Sequence, residues 1–575
     1  MRCGARPPKH GDDGFTDLFN PSLLLFRHQT VRKHNKMQKG KIGRNKLCSC
    51  GSGKKYKRCH GSSTCQAVSS ISQLNIQDAL KKKLAEIEAI QKQREKQQGL
   101  GRPIISAVFK GYRIVAVGNK IYWSDKWKTF HDFLLDYIKD PLGGNWCNEE
   151  LKKPFNQQHP ILQWNAQVCN YQKQTIKKPG EVHTEPMIGA VAAYLGLSYN
   201  LYLLAHNVKI QSKLVERLKS NRHFHGAYYE TYVAAAFIKA GFDLEFENEA
   251  DVSITHCEFT ATCRKSGNKY SVEAKSREPN KVSAKIGHQL YKALKKKANF
   301  TRVIFIDVNV PDDADESQSI KWLNEALESL RDKEISMTIN GEPAPEAYVF
   351  VTNHPHHYNL EKSNFRRTVL AEGFKIPEFK MGAQLLSIRD ALQVRKKHAD
   401  MFQLISSIRE HYKIPSTFDG DIPELAFGTP IQRLKIGQKY LIPDSDRNEL
   451  IGELVDAVVS QKQKLVYGTY RLEDGKSVIA TCPLSDNELS AYRRYPDTFF
   501  GIYRPQGKKI KNPLESFDFF YKSYRNTSKE RLLELLKKHP QIEKLKEESQ
   551  NELAITYCES LVYSSLNSNK SLKKD

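Results

Sequence analysis

Three cysteines and a histidine fall within thirteen positions, as Cys48, Cys50, Cys59 and His60, and no other feature of this 575-residue chain restricts local folding so tightly. Thiolate and imidazole are the donors zinc takes in a tetrahedron, and the Gly51-Ser52-Gly53 turn lets so short a stretch fold back on a metal. A closed set of four leaves no open position, which points to a structural ion and away from a catalytic one. The chain has 11 Cys in all, too sparse for a disulfide scaffold at this length. The clustering therefore reads as metal binding in a reducing, cytoplasmic setting.

The run from Gly43 to Gly61 resembles the SEC-C motif, named for the zinc tail of the SecA translocation ATPase. The resemblance implies that Cys48, Cys50, Cys59 and His60 hold the zinc, with Cys65 outside the pattern. It also implies an adaptor that contacts other proteins, so it supplies a cofactor without supplying the activity of the rest. Lys54, Lys55, Lys57 and Arg58 within it offer either phosphate contacts or a solvated face.

A formal charge of +25 favours a polyanionic partner such as DNA or RNA. Residues 1–65 contribute +12 of that excess. Residues 1–36 lack periodicity, and Met37 opens the compact stretch that leads into the cysteines; the expectation is a disordered or non-native leader followed by the zinc module at 37–65. A charged helical tether is expected over 66–102, its thin apolar stripe Leu80, Leu84, Ile87 and Ile90 free to meet a partner. A region with a β-hairpin turning at Gly118-Asn119 and a helix from Trp127 follows at 103–210. Residues 187–206 carry no Lys, Arg, Asp or Glu, yet Gly196, Ser198 and Asn200 argue for two buried helices broken at Gly196, with Ser198 as N-cap, and against a membrane span.

The order is clearest between 211 and 360. A helix is expected from Phe224 to Ala240 and strands at 242–248, 251–262 and 269–276. A basic helix at 283–298, a strand from Val303, a helix at 315–332 and a strand from Tyr348 complete it. This α-β-β-β-α-β succession places Glu273 and Lys275 two apart on one strand, where side chains share a face. Asp251 heads the preceding strand, and Glu230 lies on the leading helix. Hard oxygen donors beside a cation are what metal-dependent phosphodiester hydrolysis needs.

The arrangement resembles the PD-(D/E)xK nuclease superfamily. By that resemblance Asp251 matches the motif Asp, Glu273-Ala274-Lys275 matches the E-x-K triplet, and Glu230 matches the helix acid of many members; Ala250 stands where the motif name has proline. It implies that Asp251 and Glu273 hold Mg²⁺ or Mn²⁺, with Lys275 catalytic. The triplet alone arises by chance in charged proteins, and only its setting gives it weight.

Lys285, Lys292 and Lys296 fall on one face of the expected basic helix, as phosphate contacts or as a solvated face. His354, His356 and His357 follow a strand and could bind metal, but Pro355 and the lack of a carboxylate partner favour exposed loop residues. Tyr492, Tyr495, Phe499, Phe500 and Tyr503 suit either base stacking or core packing. A connector at 361–429 and a mixed C-terminal domain at 430–575, with a hairpin around Asp474-Gly475 and helices from 528, finish the chain. The expectation is a multidomain α/β protein that cleaves nucleic acid as a divalent-metal-dependent endonuclease and docks a protein partner through its zinc module, with no membrane involved. The alternative is a non-enzymatic zinc adaptor whose nuclease-like domain only binds.

Overall fold

A computed structural model describes residues 76–178, 180–246, 257–277, 284–310, 316–363, 368–380, 387–427, 434–443, 449–506, 510 and 512–571. The zinc motif, the leader, Met37 and Asp251 lie outside the described residues. The rest is mixed α/β with several sheets, divided into two compact units. One comprises the described residues up to Leu370 together with Leu404–Pro505, the other Ala371–Gln403 with Gln506 onwards.

The first unit is built on a sheet whose strands run in the order Ala347–Thr352, Thr301–Asp307, Lys269–Ser276, Phe259–Cys263, Phe242–Phe246. The strands Lys269–Ser276, Thr301–Asp307 and Ala347–Thr352 are mutually parallel, and the last two at the Phe242 side are antiparallel. Val303 to Asp307 and the whole of Ala347–Thr352 are buried, as unbroken apolar runs in covered parallel strands require. The helix Phe224–Lys239 lays Phe237 against Phe242, Phe259 and Phe305, with ring centroids 5.1, 5.7 and 5.9 Å away. It stops where Gly241 adopts φ +87°, which a side-chain-bearing residue rarely tolerates. Helix, three strands, helix Gly287–Leu294, strand, helix Glu316–Ser336 and strand follow in the order read from the periodicity.

Several expectations are corrected. Residues 187–206 form one helix, Gly189–Asn207, and not two. Gly196 sits inside it, and the Ser198 hydroxyl donates to Leu134 O at 2.7 Å instead of capping a new start. A helix apolar on every side is stable when it is surrounded: Tyr199 and Tyr202 meet Phe130 at 6.1 and 5.2 Å. Among the described residues no helix is long and apolar enough to cross a membrane. The expected hairpin is a three-stranded sheet, Ile105–Phe109, Tyr112–Val117 and Lys120–Ser124, with a second turn at Lys110-Gly111.

The charged helix Ile76–Gln98 packs within the first unit and is no free tether. Lys82 pairs with Glu453, Gln97 Nε2 donates to Asp421 O at 2.9 Å, and Gln93 bonds Thr498. Its amide-bearing face is the buried one, while Leu80, Leu84, Ile87 and Ile90 face solvent. Specific hydrogen bonds outweigh a stripe too thin to form a core.

In the same unit, Lys439–Pro443, Glu449–Ser460, Leu465–Leu472 and Ser477–Pro483 form an antiparallel sheet. The last two turn at Gly475, φ +84°. Tyr495, Phe499 and Phe500 pack into the core under it, so of the two roles open to them packing is the one realised. The second unit is helical: Ile388, Phe517, Cys558 and Val562 form one of its apolar clusters, and Arg395 is bidentate to Asp518 at 2.7 and 2.9 Å.

Candidate active site

Glu273 lies mid-strand opposite Ile304 of the neighbouring parallel strand and is 1% exposed. Lys275, two residues on, reaches the same side and hydrogen-bonds the Glu273 carboxylate. Two further groups join them. Glu258 stands at the head of the Phe259–Cys263 strand, where its backbone N–H donates to Val272 O at 2.9 Å and so fixes it beside Glu273. Lys296 reaches back from the end of the Gly287–Leu294 helix, its Nζ 2.9 Å from Glu273 and 3.2 Å from Glu258. Lys275 Nζ lies 3.8 Å from Glu258.

This corrects the basic-helix expectation. The helix ends at Leu294, so Lys296 does not share an outward face with Lys292. It turns inward because two carboxylates compensate its desolvation. Lys292 is exposed on the helix, and Lys285, also exposed, precedes it. Glu230 is held by Arg217 of the helix Ser212–Lys219 through paired bonds of 2.6 and 2.7 Å. Both its oxygens are thereby engaged, which suits a support for the cluster better than a metal ligand.

Burial, and then the charge of Glu258, push Glu273 up to about 7, against the pull of Lys275 and Lys296. The same two causes raise Glu230 to about 7. Burial and Glu273 push the Cys257 thiol up to about 12, so it stays protonated and is no nucleophile. Lys296 is raised despite burial, held charged by Glu273 and Glu258. A carboxyl that binds its proton more tightly folded than unfolded adds stability below its unfolded value, and that stability is lost as pH rises through about 7. Without added divalent metal, Glu273→Gln should therefore gain on the native chain between pH 5 and pH 8, by on the order of 2–3 kcal/mol. Lys296 keeps Glu258 in that variant. Thermal melts across this range check it; a gap that does not change with pH would refute the assignment.

Among the described residues no three acidic, Cys or His side chains group closely enough to hold a metal by themselves. The donor chemistry nonetheless fits a hard cation. Glu273 Oε2 is buried without a hydrogen-bond partner among the described residues, and Mg²⁺ commonly takes only one or two carboxylates with water and substrate oxygens. Of the expected residues, Glu273 and Lys275 meet, Glu230 stands beside them on Arg217, and Asp251 lies outside the described residues. Glu258 was not anticipated, because a strand expected to start at 251 placed it mid-strand. Its signal was an acid directly ahead of the apolar Phe259 strand, fifteen residues before Glu273.

A second expectation fails at the far end of the sheet. His354, His356 and His357 are 9%, 5% and 8% exposed and are not loop-surface residues. Tyr228 and His356, and Asp307 and His354, are joined by contacts of 3.0 and 3.3 Å that make the burial of His356 and His354 tolerable.

Comparison with known proteins bears on the amino-terminal segment. The SEC-C motif family matches residues 44–62. Protein translocase subunit SecA of Ruthia magnifica subsp. Calyptogena magnifica is 67% identical over 33 residues, which cover 5% of this chain and 4% of that protein. No solved structure matches the chain. The chain thus carries a SEC-C motif, a zinc-binding motif, ahead of a mixed α/β body.

Proposed function

We propose that the chain is a metal-dependent nuclease hydrolysing phosphodiester bonds, with a restriction-endonuclease-like core and with its SEC-C module, held by zinc on Cys48, Cys50, Cys59 and His60, serving to dock a protein partner. The observation that carries this reading is the convergence of Glu258 and Lys296 on Glu273 and Lys275, which share one buried strand of an α-β-β-β-α-β succession. Glu273 and Glu258 would hold Mg²⁺ or Mn²⁺, with Asp251 a further candidate ligand. Such an ion, when bound, polarises a phosphoryl oxygen and acidifies water. Lys275 positions the attacking water and meets the charge that develops on the phosphorus oxygens. Lys296 offsets the carboxylate pair and keeps both oriented, and Arg217 fixes Glu230 behind them. The excess of basic residues favours DNA or RNA as substrate.

The test is nicking of supercoiled plasmid and of single-stranded DNA and RNA by the full chain with Mg²⁺ or Mn²⁺. Cleavage that stops on withdrawal of the divalent ion supports the reading. No cleavage of any of them with either ion transfers the assignment to a zinc adaptor that binds without cutting.

A further inference from the structure

A cavity of about 610 Å³ opens in the first unit where the parallel strand Ala347–Thr352 ends. Ligands of open α/β sheets bind at the carboxyl ends of such strands, and the volume is that of a small-molecule site. Its walls are aromatic: Tyr199 comes from the Gly189–Asn207 helix, and Tyr228, Tyr229 and Tyr232 come from Phe224–Lys239.

These rings are fixed in place. The Tyr229 hydroxyl lies 2.7 Å from Thr352 Oγ1, the Tyr228 hydroxyl 3.0 Å from His356 Nε2, and the Tyr232 ring packs edge-on to His354 at 4.2 Å. Planar faces held in this way are prepared for a flat aromatic ring, whose stacking then orders few side chains.

The polar character of the cavity has one sign. Among the described residues lining it there is no Asp or Glu, whereas Arg409 and Lys413 stand exposed at its margin. Deeper in, the cavity is lined by Asn200, a residue 8% exposed. An amide offers the donor and acceptor pair that matches the edge of adenine.

We propose that this cavity binds a purine nucleotide, its base between the tyrosines with its edge at Asn200 and its phosphate at Arg409 and Lys413. The site is separate from the Glu273–Lys275 cluster and does not depend on the nuclease reading.

Calorimetric titration of the full chain with AMP tests it. The expected result is saturable binding of about one AMP per chain, with adenosine and inorganic phosphate each at least about tenfold weaker, since a charge-assisted phosphate contact is worth roughly that factor. Arg409→Ala with Lys413→Ala should weaken AMP about tenfold or more and leave adenosine unchanged; both residues are exposed, so the fold is spared. Asn200→Leu should weaken both ligands, and Lys275→Ala should weaken neither. No binding of AMP, ADP or GMP at millimolar concentration overturns the proposal. So does binding that survives the Arg409 and Lys413 changes, or that is lost with Lys275→Ala, which would place the nucleotide at the carboxylate cluster.

Discussion

Lys275→Ala is expected to cleave nucleic acid about 10²–10³-fold more slowly than the native chain, with substrate affinity changed by less than about tenfold. The asymmetry follows from where the lysine sits. Its ammonium is already spent on Glu273 in the resting site, so it contributes little to holding substrate. Its charge gains value as negative charge builds on the phosphoryl oxygens in a site shielded from water. Lys275→Arg, which keeps the charge but changes its shape and reach, should recover part of the rate and so separate chemistry from folding. Glu258→Ala should act differently, raising the Mg²⁺ concentration needed for half-maximal cleavage. Single-turnover rates across a metal titration read both effects. If Lys275→Ala and Glu258→Ala both cut at the native rate, the cluster is structural. If Asp251→Ala raises the metal requirement while Glu258→Ala does not, the metal-holding acid is Asp251.

Cys48→Ser combined with Cys50→Ser should release the zinc, about one ion per chain, because two donors of four cannot close a tetrahedron. The loss is large in free-energy terms: structural zinc contributes on the order of 10 kcal/mol or more to folding of the segment that binds it. Elemental analysis of protein purified without chelators should fall from about one zinc to none. Protease should then cut within residues 43–61 well before it cuts the Phe224–Lys239 core. Zinc retained in the double variant would show that Cys48 and Cys50 are not its ligands. Cleavage of substrate in excess should persist without the zinc, since a closed site offers no position for chemistry.

How much of this was legible before folding depends on the range of the interaction. The zinc motif is local: four donors and a Gly-Ser-Gly turn within thirteen positions fix their own chemistry wherever the module sits, and the family match falls on those residues. The succession from the Phe224 helix to the Ala347 strand is also local, written in side-chain periods of 3.6 and 2. Glu273 and Lys275 were readable together because two residues on a strand share a face whatever surrounds them.

What the chain order could not supply is which separate segments meet. Lys296 looked like one more outward lysine until the helix ended at Leu294 and two buried carboxylates made the inward position the less costly one. Glu258 gained its place through a backbone hydrogen bond to Val272, a partner fourteen residues away. The histidines after Thr352 looked polar enough for solvent, and only a hydroxyl and a carboxylate from distant elements let His356 and His354 be buried. Gly196 would end an isolated helix. In a helix whose Tyr199 and Tyr202 pack on Phe130, the same glycine costs about 1 kcal/mol, which burial of that aromatic surface exceeds. Propensity and periodicity thus determined the elements, whereas desolvation, felt only once distant segments close on one another, decided which charges and rings became the site.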